Sequence, residues 1–206
     1  MKSGKNLLEQ LKTLSYFTKE VLYQLGDQYG LTRASLDTYV SRFLKRREII
    51  ALKRGVYVST DFYDKNKGDI SYSFYLANIL RTPSYVSSWT ALQYYNLTTE
   101  AIHTVTSVIP QITRDYETKA GNYRYQSIKK DLFSDFVSVD GKFAFFIATP
   151  AKALFDLLYF KTHQFRAVTT EGIEGLVKEL RVDIEEMKEA ERTKFYEMVK
   201  KYINHE

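Results

Sequence analysis

The stretch GLTRASLDTYVSRFLKRREIIALKRGVYV, at 30–58, restricts the possible folds more than any other part of the chain. It begins with a helix start signal, continues as a basic amphipathic segment and ends in two β-prone runs around Arg54-Gly55. This pattern predicts a helix followed by a β-hairpin. The two interpretations are a unit that reads DNA and an ordinary basic helix packed on an ordinary hairpin.

Composition sets the class of protein. The chain has 206 residues, of which 44% are hydrophobic and 27% charged, so it can bury a core without disulfides. Cysteine is absent, which excludes zinc fingers, iron–sulfur clusters and thiol catalysis. The polar N-terminus and the lack of a long apolar run predict no signal peptide, no membrane span and a cytoplasmic protein.

Positive charge is concentrated near the start of the sequence. The net charge is +5, and residues 1–60 carry eleven Lys or Arg against five Asp or Glu. Residues 61–165 are close to neutral, and residues 166–206 are slightly acidic. This asymmetry favours a polyanionic partner for the first part of the chain, although such a segment is also compatible with a solvated face.

A helix–turn–helix is predicted within a first domain at 1–60. Apolar spacing predicts a first helix over roughly 5–14, and Thr18 can cap a second helix that ends near Tyr29-Gly30. Glycine permits the left-handed conformation that commonly ends a helix. Thr32 can then cap a third helix after a short turn, as in DNA-binding examples.

The third helix is predicted to have two different faces. An apolar stripe must face the rest of the domain, and it consists of Leu36, Val40, Phe43 and Leu44. The opposite face carries small polar and basic side chains. These suit a major groove, because bulk would block approach and arginine can pair with guanine edges.

The hairpin adds two cations at its tip, Lys53 and Arg54. In a winged helix this tip lies along the phosphate backbone or in the adjacent minor groove, whereas the alternative is a solubilising turn. Arg33, Ser35 and Thr38 are candidates for reading bases. The predicted DNA-binding residues are Thr32, Arg33, Ser35, Thr38, Ser41, Arg42, Lys45, Arg46, Lys53 and Arg54.

The remaining sequence predicts a second, mixed α/β domain at 70–206, so that the fold class is α+β. The segment DFYDKNKGD at 61–69 is polar, and within it Lys65-Asn66-Lys67-Gly68 predicts a linker. Helices are expected over 70–80 and after Ser87 or Ser88. A strand is then expected over 102–109.

Two antiparallel hairpins and C-terminal helices complete this second domain. The hairpins are predicted around Ala120-Gly121 and Asp140-Gly141. Thr149-Pro150 has the cap and the N-terminal proline that open a helix. Charged helices are expected over 170–180 and 184–202.

Three segments resemble a known family. The segment PSYVSSWTALQYYNLTTEAIHTVTSV, at 83–108, resembles the signature of AbiEi-type antitoxins, the regulators of abortive-infection E systems. Gly55-Val56-Tyr57 resembles the end of that family's winged helix, and ATPAKALFDLL, at 148–158, resembles its late helix motif. The likeness covers roughly residues 5–160, and Ala151 stands where the family usually has glutamate.

This resemblance implies both the architecture and the function. It implies a winged helix-turn-helix that binds inverted repeats in the promoter of its own operon and represses it. It also implies an antitoxin domain that counteracts a nucleotidyltransferase-like toxin in phage defence. The system would be of type IV, which does not require a stable complex. The implied DNA contacts fall on the third helix and the hairpin tip.

Asp115-Tyr116-Glu117-Thr118-Lys119 is the best candidate for catalytic chemistry. Glu-x-Lys on a strand is typical of nucleases, in which carboxylates hold Mg²⁺ and lysine stabilises the attacked phosphate. No well-placed earlier aspartate is evident, so an exposed strand face is the alternative. A nuclease targeted by a winged helix and a protein-interaction adaptor therefore remain as alternative functions.

The other titratable residues give weaker signals. His103, His163 and His205 have no partner at metal-ligand spacing. Asp131 and Asp135 could share a helix face as exposed charges. Since no glycine-rich phosphate loop occurs either, we expect no enzyme activity, no cofactor and no metal.

Overall fold

The computed structural model describes residues 2–166 and 168–203, and the fold is α+β. The chain divides into two units, of which the first comprises Met1–Ser73 with Tyr116–Asn122. The second comprises Phe74–Asp115 with Tyr123–Glu206. Within the described ranges, no helix has the length and apolar character that a membrane crossing requires.

The first unit begins with helices α1 (Lys2–Leu11), α2 (Lys19–Asp27) and α3 (Arg33–Lys45). The predicted end of the first helix near residue 14 is wrong, because α1 ends at Leu11 and is followed by turns. The predicted caps are confirmed. The hydroxyl of Thr18 accepts a hydrogen bond from the Val21 amide at 3.3 Å, and that of Thr32 accepts one from Ser35 at 3.3 Å.

The turn between α2 and α3 contains the left-handed glycine that the sequence predicted. Gly30 has a φ of 63°, a left-handed conformation that costs glycine little. The amide of Leu31 donates to the carbonyl of Gly26 at 3.1 Å, which satisfies an orphan carbonyl at the end of α2. The chain therefore reverses within a few residues and starts α3 against α2.

Gly26 sets how closely α3 approaches α2. A Cβ atom at this position would lie 2.4 Å from Cδ1 of Leu36, which is far inside ordinary contact. Leu36 is fully buried, so its side chain has little free space into which it could move. The close contact of the two helices thus depends on the missing side chain.

A small antiparallel sheet completes this part of the fold. Its strands are β1 (Phe17–Thr18), β2 (Ile49–Lys53) and β3 (Val56–Ser59), in the order β1-β3-β2. The predicted hairpin is confirmed, with Gly55 at a φ of 80° in its turn. β1 was not expected, because two residues are too few to show a period of two.

The core of the first unit collects apolar residues from all of these elements. Burying each large side chain contributes about 1.5–3 kcal/mol relative to leaving it in water. The buried members are Leu7, Leu8, Leu11, Phe17, Leu22, Leu36, Val40, Phe43, Ile49 and Tyr57. The predicted apolar stripe of α3 is therefore confirmed, with Leu44 half-buried beside it.

The linker predicted at 65–68 is wrong for Lys65 and Asn66, which lie in a helix. Helix α4 spans Thr60–Asn66, and the hydroxyl of Ser59 caps it by accepting from the Phe62 amide at 3.0 Å. The ring centroids of Phe62 and Tyr72 lie 5.7 Å apart, so the helix packs against α5 (Ile70–Leu80) although most of its residues are polar. The first unit consequently continues beyond the expected boundary at residue 60.

The second unit contains a larger mixed sheet and several helices. Among the residues that the structure describes, the strand order of this sheet is β6-β7-β5-β4-β9-β8, and residues 116–122 of its β6–β7 hairpin are assigned to the first unit. β4 pairs with β9 in parallel, and the β8–β9 and β4–β5 pairs are antiparallel. The strands are β4 (Tyr85–Val86), β5 (Thr104–Ile109), β6 (Arg114–Thr118), β7 (Gly121–Ser127), β8 (Phe136–Val139) and β9 (Phe145–Ala148).

The helices of this region confirm most of the expected segments. The predicted cap and first-turn proline of α7 are both observed, with Thr149 accepting from the Lys152 amide. The last helix starts at Glu189, after a short 3-10 turn at Ile184–Glu186. The helices are α5 (Ile70–Leu80), α6 (Ser88–Tyr94), α7 (Pro150–Lys161), α8 (Thr170–Glu179) and α9 (Glu189–Ile203).

The prediction that Asp131 and Asp135 share a helix face is wrong. Asp131 lies in a single 3-10 turn, Lys130–Leu132, that ends before Asp135. The backbone of Asp135 has a φ of 57°, which no continuing helix allows. Its carboxylate instead pairs with Lys194 at 2.7 Å.

A buried polar network lies at the centre of the second unit. Lys152 and Asp156 are one helical turn apart on α7, both are fully buried, and Nζ lies 2.6 Å from Oδ1. Oδ2 of Asp156 accepts hydrogen bonds from Ser87 Oγ at 2.7 Å and from Tyr85 OH at 3.1 Å. Burial and the neighbouring carboxylate both raise the pKa of Tyr85, so its phenol stays protonated and donates.

This network changes the role of Ser87. Ser87 occupies the N-cap position of α6, as expected, but its side chain makes no capping hydrogen bond. The hydroxyl instead donates to the buried carboxylate of Asp156, which makes a charge-assisted hydrogen bond. The sequence position of the cap was predictable, whereas its partner was not.

We expect Asp156→Ala to lower the free energy of unfolding by about 3–5 kcal/mol, because Lys152 would remain buried without a counter-charge. Urea unfolding measures the change. The double variant Lys152→Met/Asp156→Leu removes both charges at similar volume and should recover part of the loss, since Tyr85 and Ser87 still lack their acceptor. A cost below about 1 kcal/mol for Asp156→Ala would contradict the assigned role of the pair.

Candidate nucleic-acid interface

The outer side of α3 forms one exposed polar surface. The buried stripe of this helix fixes its rotation, so the residues on the opposite side face solvent. We call this exposed side the α3 surface, and it consists of Arg33, Ser35, Thr38, Ser41, Arg42 and Lys45, all of which are exposed. The structure therefore brings together most of the residues that the sequence predicted for DNA binding.

Arg46 and Thr32 lie at the two ends of this surface. Arg46 is the C-cap residue of α3, and its amide still donates to the carbonyl of Arg42 at 2.9 Å. Thr32 is the N-cap, and its hydroxyl lies 3.0 Å from Ser35 Oγ. Both residues are exposed, so they extend the α3 surface along the helix axis.

The hydroxyl groups of Ser35 and Thr38 already have local partners. Thr38 Oγ1 donates to the carbonyl of Ala34 at 3.0 Å, while Ser35 is in contact with Thr32. A hydroxyl that donates to the backbone still has lone pairs that can accept a hydrogen bond. These small side chains therefore keep the surface slim and leave acceptors directed outwards.

Among the residues that the structure describes, the cations near the end of α3 have no counter-charge. Over residues 2–166 and 168–203, no carboxylate lies within ion-pair distance of Arg42, Lys45 or Arg46. Exposed cations on a helix more commonly alternate with carboxylates. Three cations without such partners on the last turns of α3 create a local positive potential.

The single carboxylate of this region is neutralised from the side of α2. Oδ1 of Asp37 accepts from Lys19 Nζ at 2.8 Å and from Tyr23 OH at 3.1 Å. The hydrogen bond from Lys19, followed by that from Tyr23, lowers the pKa of Asp37, and the same contact raises the pKa of Lys19. Asp37 thus ties α3 to α2 without leaving a free negative charge.

Arg33 also contacts α2. Its guanidinium lies 5.3 Å from the centroid of the Tyr23 ring, within the range of a cation–π contact. Tyr23 therefore holds both Arg33 and Asp37 near the start of α3. The sequence did not indicate this contact, since Tyr23 has no pattern that distinguishes it from a core tyrosine.

The hairpin tip carries the other two predicted residues. Arg54 is exposed in the turn, whereas Lys53 is the last residue of β2, is half-buried and makes contacts within the protein. The amide of Lys19 donates to the carbonyl of Gly55 at 3.0 Å, which anchors the turn to the start of α2. Lys19 thus contacts the hairpin through its backbone and α3 through its side chain.

The residues proposed for nuclease chemistry do not assemble into a metal site. Glu117 and Lys119 are exposed, and Asp115 pairs with Arg124 at 3.3 Å. His103 and His163 are exposed and scattered, and His205 lies outside the described residues. In the part of the chain that the structure describes, no three His, Asp or Glu side chains group as metal ligands.

Comparisons with known proteins add no relative. A search with protein-family models found no match to this chain, and a search of curated proteins found none either. The geometry of the α3 surface and the sequence resemblance therefore carry the functional argument.

We expect Asp37→Asn to lower the thermal unfolding midpoint at neutral pH, because the contacts to Lys19 and Tyr23 weaken. The pKa of Asp37 is lowered on folding, so its contribution is present above the ordinary value of 3.8 and is lost as the pH falls through the folded pKa. The difference between wild type and variant should therefore shrink as the pH falls below 3.8.

Asp27→Asn provides a matched control for this measurement. Asp27 is exposed on the neighbouring helix and, among the described residues, has no ion-pair partner. The control should leave the midpoint unchanged at neutral pH. An equal effect of the two substitutions would mean that general charge, and not the Asp37 contact, stabilises the unit.

Proposed function

We propose that this chain is a cytoplasmic, AbiEi-type antitoxin of a type IV system that also binds inverted repeats in its own promoter and represses transcription. The observation that carries the DNA-binding half is the α3 surface, where exposed cations and small polar groups lie on a helix that is anchored by its apolar side. The antitoxin half rests on the sequence resemblance.

The order of elements in the first unit supports a winged helix-turn-helix. The order α1-β1-α2-α3-β2-β3 with a β1-β3-β2 sheet is typical of that fold. In this fold the third helix enters the major groove and the β2–β3 turn approaches the backbone. The positions that would reach DNA are then α3 and Arg54, where exposed cations occur.

The chemistry of the α3 surface suits a phosphate-lined groove. Arg42, Lys45 and Arg46 would contact phosphates or guanine edges, and the slim Ser35 and Thr38 would allow the helix backbone to approach. Because Lys19 already neutralises Asp37, approach of a polyanion would meet no free carboxylate on this helix. Arg33, Ser35 and Thr38 are the positions at which base preference would change.

A mobility shift with the DNA just upstream of the gene tests this half. We expect Arg42→Ala and Lys45→Ala each to weaken binding and to remove about one unit from the slope of log K against log salt. The slope falls because fewer counterions are released from the DNA. Lys65→Ala is the control, since Lys65 is exposed in the same unit but pairs with Asp61 at 2.8 Å.

Two results would contradict the proposal. The first is a loss of affinity in Lys65→Ala that equals the loss in Arg42→Ala, which would indicate charge alone. The second is cleavage of the DNA in Mg²⁺ that is absent in EDTA and in Glu117→Ala, which would favour the nuclease alternative.

The segments that resemble the antitoxin family meet in the second unit. Residues 83–108 form β4, α6 and β5, and residues 148–158 lie at the end of β9 and in α7. Tyr85 and Ser87 from the first segment donate to Asp156 in the second. Patterns that are distant in sequence thus describe one packed substructure, which supports a common fold with that family.

Co-expression with a neighbouring nucleotidyltransferase-like protein tests the antitoxin half. We expect the wild-type chain to restore growth, and the Arg42→Ala/Lys45→Ala variant to restore it equally, because the first unit would serve DNA binding alone. Asp156→Ala should restore growth less well, because the lower stability expected for this variant reduces the amount of folded chain. Growth that the wild-type chain does not restore would overturn this assignment and leave the DNA-binding half standing.

A further inference from the structure

Strand β8 lies at one edge of the larger sheet. The strand order ends with β8, and among the described residues its only neighbouring strand is β9. An edge strand presents backbone N–H and C=O groups that no neighbouring strand satisfies. Such groups form a template on which a further strand can pair.

The register of the β8–β9 pair shows which backbone groups of β8 face outwards. The amide of Thr149 donates to the carbonyl of Asp135, the residue opposite it in this register, at 2.9 Å. Hydrogen-bonded and non-bonded positions alternate along an antiparallel pair. The backbone groups of Val137 therefore face β9, whereas those of Phe136 and Ser138 face the open edge.

The residues of β8 leave this edge without the usual protection. Natural edge strands carry charges, proline or a bulge that hinder pairing with another chain. The strand at the other end of the order, β6, carries the exposed charges Arg114 and Asp115. By contrast, β8 reads Phe-Val-Ser-Val, pairs with β9 in an unbroken register and leaves Val137 43% exposed.

A second copy of β8 matches this edge in its hydrogen-bonding pattern. Antiparallel pairing about a two-fold axis at Ser138 would place position 136 of each copy opposite position 140 of the other. Outward-facing backbone groups would then meet outward-facing groups. Val137 of each copy would lie opposite Val139 of the other, which removes apolar surface from water in a cross-strand pair.

The charges next to β8 permit this pairing. Asp135 and Asp140 flank the strand, and like charges directly opposite each other would be destabilising. In the arrangement described above, Asp140 lies opposite Phe136, and Asp135 lies opposite Gly141. Asp135 is also paired with Lys194 at 2.7 Å within its own chain.

We infer that β8 is an interface through which two copies of this chain associate. The two sheets would continue into one across a two-fold axis at Ser138. The strand pairing by itself buries less than the roughly 1,200 Å² that stable complexes bury, so the association is weak and depends on concentration. The inference does not depend on the proposed DNA binding, because every residue in it belongs to the second unit.

Sedimentation velocity of the full chain without DNA tests this interface. We expect a dimer fraction that rises with concentration up to about 1 mM. Val137→Lys should remove the dimer, because it brings ammonium groups into the paired edge, and its exposure in the single chain lets the variant fold. Ile112→Lys is the matched control: it adds the same charge at a residue that is 78% exposed and lies outside β8.

Cysteine cross-linking reports on the position of the axis. The chain contains no cysteine, so a single introduced thiol is unique. Paired Cα atoms in antiparallel strands are about 5.5 Å apart, which is within disulfide reach. On mild oxidation, Ser138→Cys should give a disulfide-linked dimer, whereas Ile112→Cys should stay monomeric. Arg42→Ala/Lys45→Ala should associate as the wild type does, whether or not the proposed DNA binding exists.

Any of three results overturns the inference. One is a wild-type chain that stays monomeric at every concentration up to about 1 mM. Another is a dimer that Val137→Lys leaves intact, or that Ile112→Lys weakens equally, which would place the contact elsewhere. The third is cross-linking of Ser138→Cys no faster than that of Ile112→Cys.

Discussion

The burial of one side of α3 is the constraint on which the rest of the first unit depends. Leu36, Val40 and Phe43 are almost wholly withdrawn from water and meet residues from α1, α2 and the small sheet. Since a helix is rigid over this length, fixing one side fixes the other. The exposed cations therefore owe their common direction to apolar contacts in which they take no part. Polar contacts refine this arrangement, with Lys19 holding both Asp37 and the hairpin turn.

The two units use different means to define their interiors. The first relies on apolar packing with polar groups at its edge, whereas the second places a lysine and an aspartate at its centre. Such a pair adds little net stability over apolar residues of the same size, because both charges lose their water. Its value is geometric: Asp156 accepts donors from three directions and so fixes β4, α6 and α7 in one arrangement.

Strong local signals made the first unit largely predictable from sequence. The signals that define α3 are local: a cap at Thr32, a turn glycine at Gly30 and apolar residues at helical spacing. Neighbouring residues were therefore sufficient to locate the helix and its exposed side. The linker prediction was wrong for Lys65 and Asn66 because their helix depends on the Ser59 cap and on the contact of Phe62 with Tyr72. The polar residues of this segment give no sign of either. Lys152 and Asp156 were equally hidden. Their spacing is that of an ordinary surface pair, and only the packing around α7 reveals that they are buried.

The contact between Gly26 and Leu36 has a consequence for how such a protein could be tuned. A larger residue at position 26 would push α3 outward or tilt it, while the exposed residues of α3 stay the same. The chemical groups available to a duplex would then be unaltered but displaced by a fraction of a groove width. If the proposed DNA binding holds, discrimination between operators would change through position 26, which lies behind α3 and outside the α3 surface.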